Sequence, residues 1–209
     1  MSIPDQHDQC SVSSRNIITV QSLINTDTRE RHYGHKSGIL WLTGLSGAGK
    51  STLAVTLEKQ LFHKGYQVCV LDGDNIRTGL SVDLGFSPED RTENIRRVGE
   101  VAKLIANVGF LVITAFISPY RNERDRLRTV TPNLFHEIYV KADLSICENR
   151  DPKGLYAMAR RGEILDFTGI SAPYEEPKHP NLTIDTGKLS IDASTARLTR
   201  YVAENFGQK

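Results

Sequence analysis

The sequence has little cysteine: three in 209 residues, Cys10, Cys69 and Cys147, far apart and with no CxxC pair. So sparse and odd a set argues against a disulfide framework or a zinc centre and suits a reducing compartment. Long apolar runs are missing too, and nothing reaches the ~18 consecutive apolar residues of a membrane-spanning helix. Residues 1–30 carry no apolar stretch of the kind a secretory signal needs, so the cytoplasm is the expected location. Nor does one sign of charge dominate: 26 Lys+Arg against 25 Asp+Glu leave a net +1 at pH 7. That excludes a strongly basic nucleic-acid footprint, while local basic clusters can still hold small anions. What remains, 39% hydrophobic and 24% charged, is the composition of one globular domain with a real core.

Residues 1–37 are polar and weakly patterned and read as an N-terminal arm; residues 38–209 read as a single domain. Apolar runs at Ile39–Thr43, Val68–Leu71, Phe110–Ile117 and Phe135–Val140 predict buried strands, with a short fifth at 183–185. Between them lie helical patterns. Leu53, Leu57 and Leu61 recur four apart over Lys50–Phe62, and Gly65 stops that helix. Ser87, Pro88, Glu89 and Asp90 resemble a helix start, and Ile95, Val98, Ala102 and Ile105 mark one apolar face up to Asn107. A terminal helix is expected from Asp192 to Phe206. Apolar strands alternating with helices predict an α/β fold, a parallel sheet covered on both faces. The Gly- and Pro-containing segment 151–180 is too long for an ordinary connection and reads as a mobile lid. His32 and His35 lack a third ligand and read as surface residues. Cys69 reads as a small core residue, Lys141 and Arg160 as solvated charges.

The residues Gly44-Leu45-Ser46-Gly47-Ala48-Gly49-Lys50-Ser51 fit the P-loop pattern GxxxxGK[ST] between a strand and a helix. Glycines there let backbone N–H groups turn toward phosphate oxygens at a helix N-terminus. Lys50 is expected to bridge the β- and γ-phosphates of ATP, and the Ser51 hydroxyl to ligate Mg²⁺; Thr52 completes the loop. No Asn-Lys-x-Asp base-reading motif of a GTPase is present. A small domain with a basic lid points to a kinase for a small molecule, with the lid keeping water from the phosphoryl group. Beyond the second strand, Asp72 and Asp74 stand two apart on an emerging loop, where one can serve metal or proton and the other substrate.

Taken together, GLSGAGKST at 44–52, LDGDNIR at 71–77, LGFSPEDRTENIRR at 84–97, FISPYR at 116–121, RDPKGLY at 150–156 and FTGISAPYE at 167–175 closely resemble the adenosine 5′-phosphosulfate (APS) kinase family, in the family's order. The resemblance spans roughly residues 30–205. It implies a P-loop kinase fold and transfer of the γ-phosphoryl of MgATP to the 3′-hydroxyl of APS, giving 3′-phosphoadenosine 5′-phosphosulfate (PAPS) and ADP. It implies catalytic roles for Lys50, Asp72 and Ser118, with Ser51 and Asp72 at the metal. It adds Arg150 and Thr186 to the ATP site. For APS it implies Asp74, Asn75, Ile76, Arg77, Phe86, Arg91, Asn94, Ile117, Ser118, Lys153 and Phe167, with Phe86 and Phe167 sandwiching the adenine. It further implies a homodimer and a functional association with ATP sulfurylase.

Members of that family with serine at the Ser118 position have been described as forming a phosphoserine, while others carry alanine. Direct in-line transfer needs only positioning and charge stabilisation. The sequence offers Ser118 only Asp72 or Asp74 as an activating base. Direct transfer is the expectation, with Ser118 in the site as a binding residue. Two other readings stand beside this one. A P-loop kinase for gluconate or shikimate is disfavoured by Phe86, Arg91, Asn94 and Phe167, which suit a nucleotide. A non-catalytic nucleotide-binding subunit is disfavoured because Lys50, Asp72 and Asp74 are intact.

Overall fold

Gly38–Thr43 (β1) is buried along its whole length and forms the middle of the sheet. The computed structural model describes residues 22–207. Residues 1–21 of the expected arm, with Cys10, lie outside the described residues. Among the described residues, β1 is joined by Val68–Asp72 (β2), Leu111–Ala115 (β3), Phe135–Lys141 (β4) and Leu182–Asp185 (β5) in the order β2-β3-β1-β4-β5, every neighbouring pair parallel. This is a P-loop kinase fold.

Alternation along β1 divides the core in two. Leu40 and Leu42 pack with Leu53, Leu57 and Leu61 of α2 (Lys50–His63) and with Leu198 and Val202 of α8 (Ile191–Phe206). Ile39 and Trp41 pack on the other face with Ile95, Val98 and Ala102 of α4 (Pro88–Asn107) and Leu127 of α5 (Arg121–Val130). Each such side chain taken from water contributes about 1.5–3 kcal/mol, so both faces hold the sheet. The start of α4 is as its sequence suggests: the Ser87 hydroxyl accepts from Asp90 N at 3.1 Å, Pro88 opens the helix, and Glu89 and Asp90 complement its dipole.

The structure adds elements that the sequence did not announce and corrects two expectations, at His35 and at the strand carrying Cys69. The arm contains a helix, α1 (Thr26–Tyr33), capped by Asn25 accepting from Thr28 N at 2.9 Å and ended by left-handed Gly34. It buries none of its residues, so no apolar period announced it. His35 is buried rather than on the surface: Gln67 N donates to its Nε2 at 2.8 Å, and its ring stacks between Tyr33 and Tyr66. β2 is an edge strand, half-buried throughout, and Cys69 on it is half-buried as well. Within the segment 151–180 lies the short helix α7 (Leu155–Arg160). Arg160 is exposed but pairs with Glu148 at 2.5 Å. The short helices α3 (Gly73–Arg77) and α6 (Leu144–Arg150) and the charged α5 were not anticipated either. No helix among the described residues is long and apolar enough to cross a membrane.

Candidate active site

Because all five strands run parallel, their C-terminal ends open on one edge of the sheet, where ligands of such folds bind. β1 delivers the phosphate loop there. At Gly44 a Cβ would lie 2.3 Å from the Val140 carbonyl oxygen, and Gly49, at φ 96°, forms the left-handed N-cap of α2. Lys50 follows, 8% exposed, with Nζ donating to Gly44 O at 2.9 Å and Leu45 O at 2.8 Å. Burial lowers its pKa from 10.5 to about 8, opposed only in part by Cys147 and Asp72. The next hydroxyl, Ser51 Oγ, donates to Asp72 Oδ2 at 2.6 Å, while Asp72 Oδ1 accepts from Asp74 N at 3.1 Å. The loop is braced from outside: Tyr156 donates to Ser46 O at 2.9 Å. Arg150 donates to Gly47 O at 3.3 Å and Thr186 O at 2.6 Å, and Thr186 Oγ1 donates to Ala48 O at 2.8 Å.

From this loop a cleft of about 1080 Å³ runs to the ends of β2 and β3 and under the 151–180 segment. Phe86 is 65% exposed on its wall, with the Arg77 guanidinium 4.3 Å from its ring centroid. Arg77 also donates to Leu84 O at 3.2 Å and Gly85 O at 2.7 Å. Its pKa is lowered by burial and then by the neighbouring Arg91, a pair of cations that an anionic ligand would relieve. Phe167 lines the same cleft but is 8% exposed, edge-on to Tyr156 at 5.0 Å. Asn94 is 3% exposed, with its Oδ1 lacking a hydrogen-bond partner, an acceptor left open at the cleft wall. Lys153 reaches from the 151–180 segment to pair with Asp74.

Residues 36–185 match the adenylylsulphate kinase family model. The chain belongs to that family. An adenylyl-sulfate kinase of Bacillus velezensis is 57% identical over 196 residues, 93% of this chain and 100% of the relative. One from Bacillus pumilus is 56% identical over 194 residues, 92% of this chain and 98% of the relative. Among solved structures, a Mycobacterium tuberculosis APS kinase in complex with AMPPNP and APS is 46% identical with a TM-score of 0.77, covering 80% of this chain and 98% of its own.

Most residues expected from the family pattern line this one cleft: Ser46, Gly47, Gly49, Lys50, Ser51 and Thr52 on one side; Asp72, Asp74, Arg77, Phe86, Arg91, Asn94, Ile117, Ser118, Lys153 and Phe167 on the other; Arg150 and Thr186 at the rim. Five do not. Gly44, Leu45 and Ala48 shape the loop from behind, Asn75 is exposed outside the cleft, and Ile76 packs into the core around Trp41. The Ser51 hydroxyl and Asp72 carboxylate are hard oxygen donors already in contact, which suits Mg²⁺ held by few protein ligands together with substrate phosphates.

Ser118 sits in a strained turn, at φ 40° and 2% exposed. Its Oγ accepts from Trp41 Nε1 at 3.0 Å, and its carbonyl accepts from Arg124 Nη1 at 2.6 Å. Arg124 was missed by sequence reasoning. Fully buried, it also donates to Glu137 Oε1 and Glu175 O, both at 2.6 Å, tying the FISPYR turn to β4 and to the far end of the lid segment. In the sequence it is one arginine in a charged run, and only its buried acceptors distinguish it.

Proposed function

We propose that the protein phosphorylates the 3′-hydroxyl of APS from MgATP, yielding PAPS and ADP. One observation carries the reading: a single cleft joins the P-loop lysine and the Ser51–Asp72 oxygen pair to an acceptor wall bearing Phe86, Phe167 and two arginines. The P-loop amides and Lys50 would receive the ATP phosphates, Lys50 exchanging its carbonyl partners for phosphoryl oxygens. Ser51 and Asp72 would hold Mg²⁺, which when bound neutralises charge on the transferred group. Asp72, at the end of β2, would take the proton of the attacking hydroxyl. Phe86 and Phe167 would flank the APS adenine, Arg77 and Arg91 supply positive charge to the phosphosulfate, and Asp74, Asn94, Ile117 and Lys153 complete the acceptor subsite. The Ser118 hydroxyl is engaged by an indole N–H, and the Asp72 carboxylate by Ser51 and Asp74 N, which supports direct transfer with Ser118 as a binding residue. We place the activity in the cytoplasm, with a homodimer as the working form and ATP sulfurylase as the supplier of APS.

The test is ADP release by the purified protein with MgATP and APS, with the nucleotide product resolved as PAPS. Saturable turnover is expected. Turnover of gluconate or shikimate with none of APS would overturn the reading, and so would binding of ATP and APS without turnover.

A further inference from the structure

Arg91 does more in this structure than present charge to an anion. Its Nε donates to Phe86 O at 2.8 Å, its Nη1 to Thr168 Oγ1 at 2.6 Å and its Nη2 to Asp166 O at 2.5 Å. One planar guanidinium therefore holds the backbone on either side of the cleft, at Phe86 and immediately beside Phe167. What it grips on the lid side is stiff. Phe167 N donates to Ser171 Oγ at 2.9 Å, and the Phe167 carbonyl accepts from the amides of Ile170, Ser171 and Ala172. Thr168 is 1% exposed, and Asp166, at φ 54°, is bent into a conformation its side chain disfavours and a strong hydrogen bond can hold.

We infer that Arg91 is a positioning residue: with Thr168 it forms a latch that sets the separation of the Phe86 and Phe167 segments, and so the width of the acceptor slot, before any substrate arrives. The fork matters here, because each of the three acceptors is met by a different nitrogen of one rigid plane, a spread that the single nitrogen of an ammonium cannot cover. Each terminal nitrogen keeps a second N–H, so the same group can hold the slot and still face an anion. That the slot receives APS rests on the function proposed above; the latch itself does not.

The latch is read first in the whole protein without substrate, by hydrogen–deuterium exchange at the amides of Phe167 and Gly169 to Ala172. Thr168→Val keeps the side chain's shape and removes the acceptor. Exchange at those amides should quicken about tenfold, as expected for loss of one charge-assisted hydrogen bond. Thr168→Ser, which restores a hydroxyl, should recover most of the protection, and Arg91→Lys should behave as Thr168→Val. Kinetically, Thr168→Val should raise KM for APS several-fold and leave KM for ATP within about twofold, a split that general loosening of the fold would not produce. Unchanged exchange in both Thr168→Val and Arg91→Lys overturns the latch, as does an equal rise of both KM values. Should wild type turn over no APS, the functional reading fails while exchange still decides the latch. If Thr168→Val does not fold, exchange in the half-exposed Arg91→Lys decides the latch by itself.

Discussion

Lys50 is 8% exposed and held by two carbonyls of its own loop; Phe86, across the same cleft, is 65% exposed, with Arg77 of α3 over its ring and its carbonyl held by Arg91 of α4. The donor half comes from one short stretch whose geometry is local: glycines, a helix N-terminus and a lysine folded back on its own turn. The proposed acceptor half comes from segments far apart in the chain, 72–94, 115–119 and 150–168, joined only by tertiary contacts. A P-loop can therefore be carried nearly unchanged among many kinases, whereas acceptor choice depends on how distant segments are tied together.

The sharpest way to break the comparison is at Lys50. Lys50→Met should lower kcat/KM by about a thousandfold, as for loss of a group that stabilises developing charge. The same variant should also change stability in a predictable sense. The folded pKa, about 8, lies below the ordinary value of 10.5, so between those pH values the unfolded chain binds a proton that the folded one lacks. Stability from this group therefore rises with pH across that window, and the penalty of burying the ammonium is fully present below pH 8. The difference in Tm between Lys50→Met and wild type should favour the variant at pH 7 and shrink toward pH 10, followed by calorimetry at both. A constant difference would show that Lys50 is not strained by burial.

On the acceptor side, Arg124→Met should destabilise by about 3–5 kcal/mol, because it strands the buried Glu137 carboxylate and two carbonyls. Arg128, which pairs with the other Glu137 oxygen at 2.6 Å, keeps that penalty toward the low end. Urea unfolding gives the number.

The two phenylalanines sharpen the contrast within the acceptor half. Phe86→Ala should raise KM for APS about tenfold to a hundredfold, the worth of one stacked base, with Tm unmoved. Phe167→Ala should raise it too but also lower Tm, because Phe167 packs on Tyr156 inside the fold. Equal Tm losses would mean that both rings are structural.

The smallest effect belongs to Ser118→Ala. It removes one hydrogen bond from Trp41, worth about 0.5–1.5 kcal/mol, at an already strained turn, so kcat should fall less than about tenfold. A dead Ser118→Ala enzyme that folds normally would demand a search for phosphoserine in the wild type.

Much of the scaffold was legible because its signals are local. Leu53, Leu57 and Leu61 announce α2, Ser87 and Pro88 announce α4, and four apolar runs announce strands that differ from the observed ones by a few residues at their ends. What escaped were elements without an apolar period. α1 buries nothing, and α5 covers the core with Leu127 while burying Glu123 and Arg124 against polar partners. His35 shows the same limit, since a histidine reads alike in the chain whether it ends in water or between two tyrosine rings.

By itself the sequence determined that a phosphate-type loop would follow β1, because a strand, a glycine-rich turn, Lys50 and Ser51 succeed one another in the chain. It also determined the sheet's parallel, two-faced character, through apolar strands alternating with helices. Only the tertiary structure decided that Trp41 would hold the Ser118 hydroxyl, that Arg124 would pin the same turn from behind, and that Arg91 would join the Phe86 carbonyl to the Thr168 hydroxyl. Trp41 and Ser118, like Arg91 and Thr168, lie 77 residues apart, and even the nearer pairs depend on atoms placed to tenths of an ångström, which only the packed sheet and helices supply.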